Sequence, residues 1–176
     1  CIENWYNITD NLADWSVKFD NLGDQGLGQL LEEQWREANQ QFTRFIEVNY
    51  ENWLRSKEKP LMSPDIISSY LQKNIQNDEK VVLIIMDCLR ADHLKAMTNQ
   101  LAQIFHIDLD YYLSILPTAT PYSRNAIFSG YFPNKLQKEY SDIWLEMWQD
   151  ENSMNRFEDQ FLRDHITRLG FESKSI

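Results

Sequence analysis

The sequence predicts an α/β fold class: an N-terminal three-helix bundle followed by the first part of an α/β domain. Two observations support this prediction. Apolar residues recur every three to four positions through roughly the first 75 residues, as in amphipathic helices. After residue 80, short apolar runs alternate with helical patterns, as in units of strand, helix and strand. The predicted division is a helical linker or dimerisation module over residues 1–78 and an α/β portion over residues 79–176.

Three amphipathic helices are predicted in the first part. The first covers residues 2–22 and ends at Gly23, and the second covers residues 27–54. The third begins at Ser63, which is predicted to cap the helix, with Pro64 at the first helical position. Short loops between such helices favour an antiparallel bundle. Their Trp-rich stripes are expected in the bundle core, with a partner or dimer interface as the alternative.

The second part is predicted to contain two strands. Residues 81–86 are apolar and rich in β-branched side chains, which is typical of a central parallel strand covered on both faces. A helix is predicted over residues 94–105 and a second strand over residues 111–116. A short helix bounded by Pro121 and Gly130 follows, and two further helical patterns complete the chain.

The composition limits the classes of function. Of 176 residues, 43% are hydrophobic and 25% charged, which indicates a globular protein. The net charge of −10 argues against a surface that binds polyanions and suits a metal or a basic partner better. No apolar run approaches the roughly 20 residues of a membrane span, and no signal peptide is evident, so we expect a cytoplasmic protein. Cys1 and Cys88 are too few for a disulfide framework or a zinc knuckle.

Two polar residues follow the predicted strands. Ligands of open α/β sheets bind beyond the carboxyl ends of the strands, and Asp87 is the first polar residue after residues 81–86. Thr120 is predicted to be the N-cap of the helix that begins at Pro121, where its hydroxyl lies at the positive helix end. Each could simply cap a turn or a helix. Together they could form half of a metal site with a nucleophile.

Neighbouring residues could serve the same site or have structural roles. Ser123, Arg124 and Asn125 lie in the turn after Thr120, where they could line a phosphate pocket; solvation of the helix is the alternative for Arg124. Arg90 could orient Asp87, meet a substrate phosphate or pair with Asp92. A buried thiol is the favoured prediction for Cys88.

The motifs MDCLRAD and LSILPTATPYSRNAIFSGYFP resemble the PglZ branch of the alkaline phosphatase superfamily. The resemblance extends over REANQQFTRFIEVNYENWL, PLMSPDIISSYL and NRFEDQFLRDHITRLG, and it is closest to response regulators of type IX protein secretion that carry a PglZ effector domain. It implies a receiver domain, a three-helix bundle and an alkaline-phosphatase-like domain, of which this chain would hold the bundle and the first part of the last.

The resemblance also implies a function and a site. The activity would be a zinc-dependent phosphodiesterase acting on oligonucleotide-type substrates, with Asp87 as a zinc ligand and Thr120 as nucleophile and second ligand. Arg124 and Asn125 would contact the substrate. The implied partners are a membrane histidine kinase, a sigma factor, a secretion-machinery protein and, on activation, a second copy of the chain. A non-catalytic scaffold that mediates dimerisation and sigma-factor binding is the alternative.

The remaining zinc ligands of the resembled family are expected after Ile176. His93, His106 and His165 are too scattered to replace them and are predicted to be surface or packing residues. The segment alone is therefore expected to bind zinc poorly and to catalyse little.

Overall fold

A computed structural model of the chain describes residues 1–77, 79–150 and 153–171. Helices are the regular elements of these residues. The α-helices are α1 Ile2–Leu22, α2 Gln25–Arg55, α3 Gln72–Gln76, α4 Ala91–Leu101, α5 Thr120–Ser129, α6 Pro133–Glu139, α7 Ser141–Met147 and α8 Glu158–Arg168. A 3₁₀ turn, Ser63–Asp65, and a π-helical turn, Ile67–Leu71, precede α3. No helix in this described part is long and apolar enough to cross a membrane.

The α/β prediction is wrong, because residues 1–77, 79–150 and 153–171 contain helices and no strand. The only pairing outside named elements that we find there is an isolated parallel bridge between Met62 and Leu113. A strand requires a hydrogen-bonded neighbour, and neither predicted strand has a ladder in this part of the chain. The fold class of the described residues is all-helical.

The two predicted strands nevertheless show a two-residue alternation of burial. In the run after residue 80, Val82 and Ile84 are 83% and 74% exposed, whereas Leu83 and Ile85 pack against a hydrophobic cluster. The run is therefore covered on one face only, because its other face lacks a partner among the described residues. The prediction that this run is covered on both faces is therefore wrong, because apolar and β-branched composition cannot supply the pairing.

The chain forms two compact units, one made of residues 1–60 and 86–111, the other of residues 61–85 and 112–176. The predicted domain boundary between residues 78 and 79 concerns evolutionary domains and stays a prediction.

In the first unit, α1 packs against α2 and α4. The Nζ of Lys95 on α4 lies 2.7 Å from the Oδ1 of Asp10 on α1, and the Tyr111 hydroxyl donates to the same oxygen over 2.6 Å. These hydrogen bonds from Lys95 and Tyr111 lower the pKa of the Asp10 carboxyl. The aromatic stripes of α1 and α2 meet, as in the edge-on contact of Trp5 with Phe42, whose ring centres are 5.3 Å apart.

The third predicted helix belongs to the second unit and is irregular. Ser63 does not cap it; Met62 is the N-cap residue, and Asp65 accepts the Met62 N–H over 3.0 Å. The buried Ser63 hydroxyl instead accepts the N–H of Ile115 over 3.1 Å. The local cap signal was overridden because the extended segment beside it needed a hydrogen-bond acceptor.

Two hydrophobic clusters organise the second unit. One joins the irregular helix to α5 and α8 and is centred on Ile67, Leu71, Ile127 and Ile166. The other is centred on Leu136, Met147 and Phe161. Since α5 contributes to the first cluster and packs along α8, its first turn has a defined position against the start of α8.

Candidate functional site

Thr120 is the first residue of α5, and Ala119 is the N-cap, one position earlier than the sequence predicted. The Ala119 carbonyl accepts the N–H groups of Tyr122 and Ser123 over 2.9 and 3.0 Å. Thr120 is half-buried, and the described first turn of α5 contains no acidic side chain. The positive end of the helix dipole therefore lies next to the Thr120 hydroxyl with no carboxylate in that turn to neutralise it.

Ser123 is hydrogen-bonded to the backbone that precedes α5. Its hydroxyl donates to the carbonyl oxygens of Thr118, over 3.1 Å, and Ala119, over 3.3 Å, so one donor is shared between two acceptors. Ser123 is buried, and its hydroxyl is hydrogen-bonded within the protein. Its predicted role in a phosphate pocket stays a prediction, although the hydroxyl is directed towards backbone.

Asn125 is fully buried on α5. Its amide donates to the carbonyl of Pro121 over 2.7 Å and to the carbonyl of Met154 over 2.8 Å. Its side-chain oxygen lies 3.4 Å from the amide nitrogen of Asn155. Both hydrogens and the oxygen of Asn125 therefore have partners, which a polar group at this depth requires.

Asn155 connects α5 with α8. Its amide nitrogen lies 2.7 Å from Oε1 of Glu158, 3.4 Å from the Thr120 carbonyl and 3.4 Å from Oδ1 of Asn125. The other Glu158 oxygen accepts the Arg124 guanidinium over 2.6 Å. The Arg124 and Glu158 side chains are only 29% and 15% exposed, so this ion pair is partly shielded from solvent. Asn155 and Glu158 were not predicted from the sequence, because only their tertiary contacts with α5 distinguish them from other polar residues.

Asp87 lies in a turn between the extended run and α4 and is exposed. Its Oδ1 accepts the N–H of Cys88 over 3.0 Å, and Cys88 has a positive φ of 58°. The predicted turn contact is thus present, and the predicted role as a metal ligand stays a prediction. The thiol of Cys88 is exposed, so the prediction of a buried thiol is wrong.

Arg90 pairs with Asp92, which confirms one of its three predicted roles. Its Nε lies 3.0 Å from Oδ1 of Asp92 and its Nη2 contacts Oδ2, so the guanidinium binds both carboxylate oxygens. Partial burial alone would raise the pKa of the Asp92 carboxyl, but the hydrogen bond and charge of Arg90 outweigh it and lower that pKa.

The three histidines are surface or packing residues, as predicted. His93 is exposed on α4, His106 is exposed after α4, and His165 is buried on α8. The Nδ1 of His165 lies 3.1 Å from the Phe128 carbonyl near the end of α5. Burial is the main cause of its lowered pKa, with the nearby charge of Arg168 acting in the same direction.

In residues 1–77, 79–150 and 153–171 we find no group of three or more His, Cys, Asp or Glu side chains that could hold a metal ion. Asp87 belongs to the first unit and Thr120 to the second, and their predicted proximity stays a prediction. One carboxylate and one hydroxyl do not complete the ligand set of a zinc site. The described residues therefore do not by themselves fit a resident metal.

Comparison with known families defines the class of this chain. Residues 67–172, more than half of the chain, match the model of the BREX system PglZ alkaline phosphatase-like domain, so the chain belongs to the PglZ family. Residues 1–54 match the model of the PorX response regulator linker domain. This combination confirms the resemblance to a PorX-type regulator with a PglZ domain. Membership of an alkaline-phosphatase-like family suggests dependence on a metal. Comparison with curated proteins finds no match.

Proposed function

We propose that the chain carries part of a zinc-dependent phosphodiesterase in which Thr120 is the nucleophile. The observation that carries the proposal is the position of Thr120: it begins α5 within the PglZ match, at a positive helix end whose first turn contains no acidic side chain. Such an end suits the negative oxygens of a phosphoryl group. Oligonucleotide-type phosphodiesters are the proposed substrates, by resemblance.

The step assigned to Thr120 is a displacement at phosphorus. Its Oγ1 forms a bond to phosphorus while the bond between phosphorus and the oxygen of the leaving alcohol breaks, and the hydroxyl proton passes through solvent to that alcohol. Water then attacks the phosphodiester formed on Thr120, which releases the phosphate monoester product and restores the hydroxyl. Asp87 is the proposed zinc ligand of this chain, together with Thr120, and Arg124 is the proposed substrate contact. The substrate contact predicted for Asn125 stays a prediction, since its side chain is fully buried and hydrogen-bonded within the protein. Further ligands would be needed to complete the metal site.

The proposed setting is a cytoplasmic response regulator of type IX protein secretion. A membrane histidine kinase would act upstream, and a sigma factor and a secretion-machinery protein would act downstream. The match of residues 1–54 to a response regulator linker supports the regulatory part of this proposal.

The test is turnover of bis-p-nitrophenyl phosphate and bound zinc in the natural protein that contains this chain. Thr120→Val should lower turnover by on the order of 10³-fold or more, as loss of a covalent nucleophile does in other enzymes. Asp87→Ala should lower zinc content and turnover together.

Matched controls are Thr118→Val, which makes the same change at an exposed threonine, and Asp108→Ala, which removes a carboxylate that is 93% exposed. Both controls should leave turnover and zinc content unchanged. Turnover of Thr120→Val at the level of the unmodified protein would refute the catalytic assignment.

A second candidate function is a regulatory scaffold whose first two helices mediate dimerisation. The observation that favours it is a groove of about 310 Å³ between α1 and α2, lined partly by Trp5, Ile8 and Trp15. Trp15 is 45% exposed and Ile8 is 38% exposed. Apolar side chains left in one concave surface are typical of an interaction site.

Sedimentation equilibrium of the activated protein tests the scaffold candidate. Trp15→Ser should weaken self-association at least about tenfold, since buried tryptophans dominate many interfaces. Val48→Ser is the control, because Val48 is 74% exposed on α2 but does not line the groove. Equal self-association of both variants and the unmodified protein would exclude this surface.

A further inference from the structure

We infer that Asn155 is a positioning residue for Thr120, acting through the backbone of the first turn of α5. The inference rests on the proposed function of Thr120. It concerns a hydrogen-bond network within the second unit, made of Thr120, Arg124, Asn125, Asn155 and Glu158, and named here the α5 latch.

One member of the latch, Asn125, places a polar amide at a buried helix position that an apolar side chain would ordinarily occupy. Asn has a lower helix propensity than Leu or Met, and burying an amide is unfavourable unless its hydrogen bonds are made. Asn125 is nevertheless fully buried, with its two N–H groups donated to the carbonyls of Pro121 and Met154. The first carbonyl belongs to the first turn of α5 and the second to the segment before α8. This amide therefore ties the two segments at a defined distance.

Asn155 extends the tie to Thr120 itself. An amide nitrogen has two hydrogens, yet the Asn155 nitrogen has three acceptors within reach, at 2.7, 3.4 and 3.4 Å. The short contact is with Glu158, so the remaining hydrogen is shared between the Thr120 carbonyl and the Asn125 side-chain oxygen. Asn155 thus contacts the backbone of the proposed nucleophile from outside its helix.

Glu158 fixes the orientation of Asn155 from the other side. Its two carboxylate oxygens have different partners: Oε1 accepts from Asn155 and Oε2 from Arg124. Thr120 and Arg124 are four residues apart and lie on one face of α5. The carboxylate therefore connects the residue that holds the Thr120 backbone to the proposed substrate contact one turn later.

The consequence is a nucleophile whose backbone has restricted freedom to move. Displacement at phosphorus requires the attacking oxygen at a defined distance and direction, and an error of about 1 Å can lower the rate by about 100-fold. The latch supplies this restraint through hydrogen bonds to the backbone, and it leaves the Thr120 hydroxyl itself out of the Asn155 contact.

The experiment measures kcat and KM for bis-p-nitrophenyl phosphate, per folded molecule, in the natural protein. Asn155→Ala should lower kcat about 10- to 100-fold with KM changed less than about twofold, because positioning acts on the reacting atoms. Asn134→Ala is the control, since Asn134 is exposed on α6. It should leave both constants unchanged. A merely structural role would lower the unfolding temperature and leave kcat per folded molecule intact.

A second variant covers the case in which Asn155→Ala does not fold. Glu158→Gln keeps the size of the side chain but replaces one accepting oxygen with a donor, so one latch contact is lost. It should lower kcat about fivefold, the equivalent of one ordinary hydrogen bond.

Thr120→Val, measured in parallel, separates the two hypotheses. Loss of turnover in Thr120→Val, with kcat of Asn155→Ala and Glu158→Gln within twofold of the unmodified protein, overturns the positioning role and leaves the proposed function standing. Full turnover in Thr120→Val overturns the proposed function, and the positioning role with it.

Discussion

Single residues at the two ends of α5 have opposite electrostatic environments. Thr120 begins the helix, in a first turn without an acidic side chain, and Gly130 ends it with a left-handed φ of 66°. Near Gly130, Arg168 donates to the Ser129 carbonyl and also contacts the Tyr140 hydroxyl over 3.2 Å. Cationic donors at the last carbonyls complement the negative helix end. The sequence predicted Gly130 as a helix end but not the side chains that surround it.

Among the glycines that the structure describes, Gly130 is expected to tolerate a larger side chain least. A Cβ at this position would lie 2.4 Å from both Cε1 and Nε2 of His165, closer than any side-chain atom tolerates. Gly130→Ala should therefore combine the strain of a left-handed residue, about 1–2 kcal/mol, with an overpacking penalty of about 1–3 kcal/mol. The measurement is the free energy of unfolding in urea.

Gly23→Ala is the matched control, because Gly23 has the same φ of 66° and nothing within 4 Å of an added Cβ. It should show the backbone strain alone. Equal destabilisation by the two substitutions would contradict the proposed clash with His165.

At the scale of elements, the pairing of α5 with α8 organises the second unit. At one end the α5 latch joins the first turn of α5 to Asn155 and Glu158; at the other, His165 of α8 contacts the Phe128 carbonyl. The apolar contacts of Ile127 and Ile166 lie in the same cluster. Two helices joined at both ends and between them are expected to unfold together.

Protonation of His165 should weaken this pairing. Burial lowers the pKa of the folded-state imidazole below its unfolded value of about 6.5, so the unfolded chain binds the proton more readily. The stabilisation is therefore complete above about pH 6.5 and is lost as the pH falls towards the lower folded-state pKa. The measurement is the urea midpoint between pH 7.5 and 5.5.

His165→Gln, which cannot titrate, should reduce the pH dependence in that range. His106→Gln, the same change at a side chain that is 90% exposed, is the matched control. An unchanged pH profile in His165→Gln would show that another group causes the dependence.

At the scale of the whole molecule, the residues that could do chemistry are divided between two compact units. Asp87 belongs to the first and Thr120 to the second, and each is held by local contacts: Asp87 by its turn, Thr120 by the α5 latch. The family matches follow the chain rather than these units, since the linker match covers residues 1–54 and the PglZ match covers residues 67–172. The proposed scaffold function and the proposed phosphodiesterase function therefore concern different segments, and one polypeptide can have both.

The sequence by itself determined the long helices and the family. Apolar spacing predicted α1 and α2, glycines predicted the ends of α1 and α5, and the motifs around Asp87 and Thr120 carried the resemblance that the PglZ match confirms. These are local properties, because spacing, backbone freedom and motif letters are all written within a few residues.

Only the tertiary structure decided which extended runs had partners and which polar side chains met. The run after residue 80 has the composition of a strand but no ladder in the described chain, since pairing depends on a second segment that composition cannot specify. The Ser63 hydroxyl accepts from Ile115 in place of its predicted helix-capping contact. Asn155 contacts the Thr120 carbonyl across 35 residues of chain, and Glu158 contacts Arg124 across 34. Such contacts arise from packing, and no local pattern in the sequence records them.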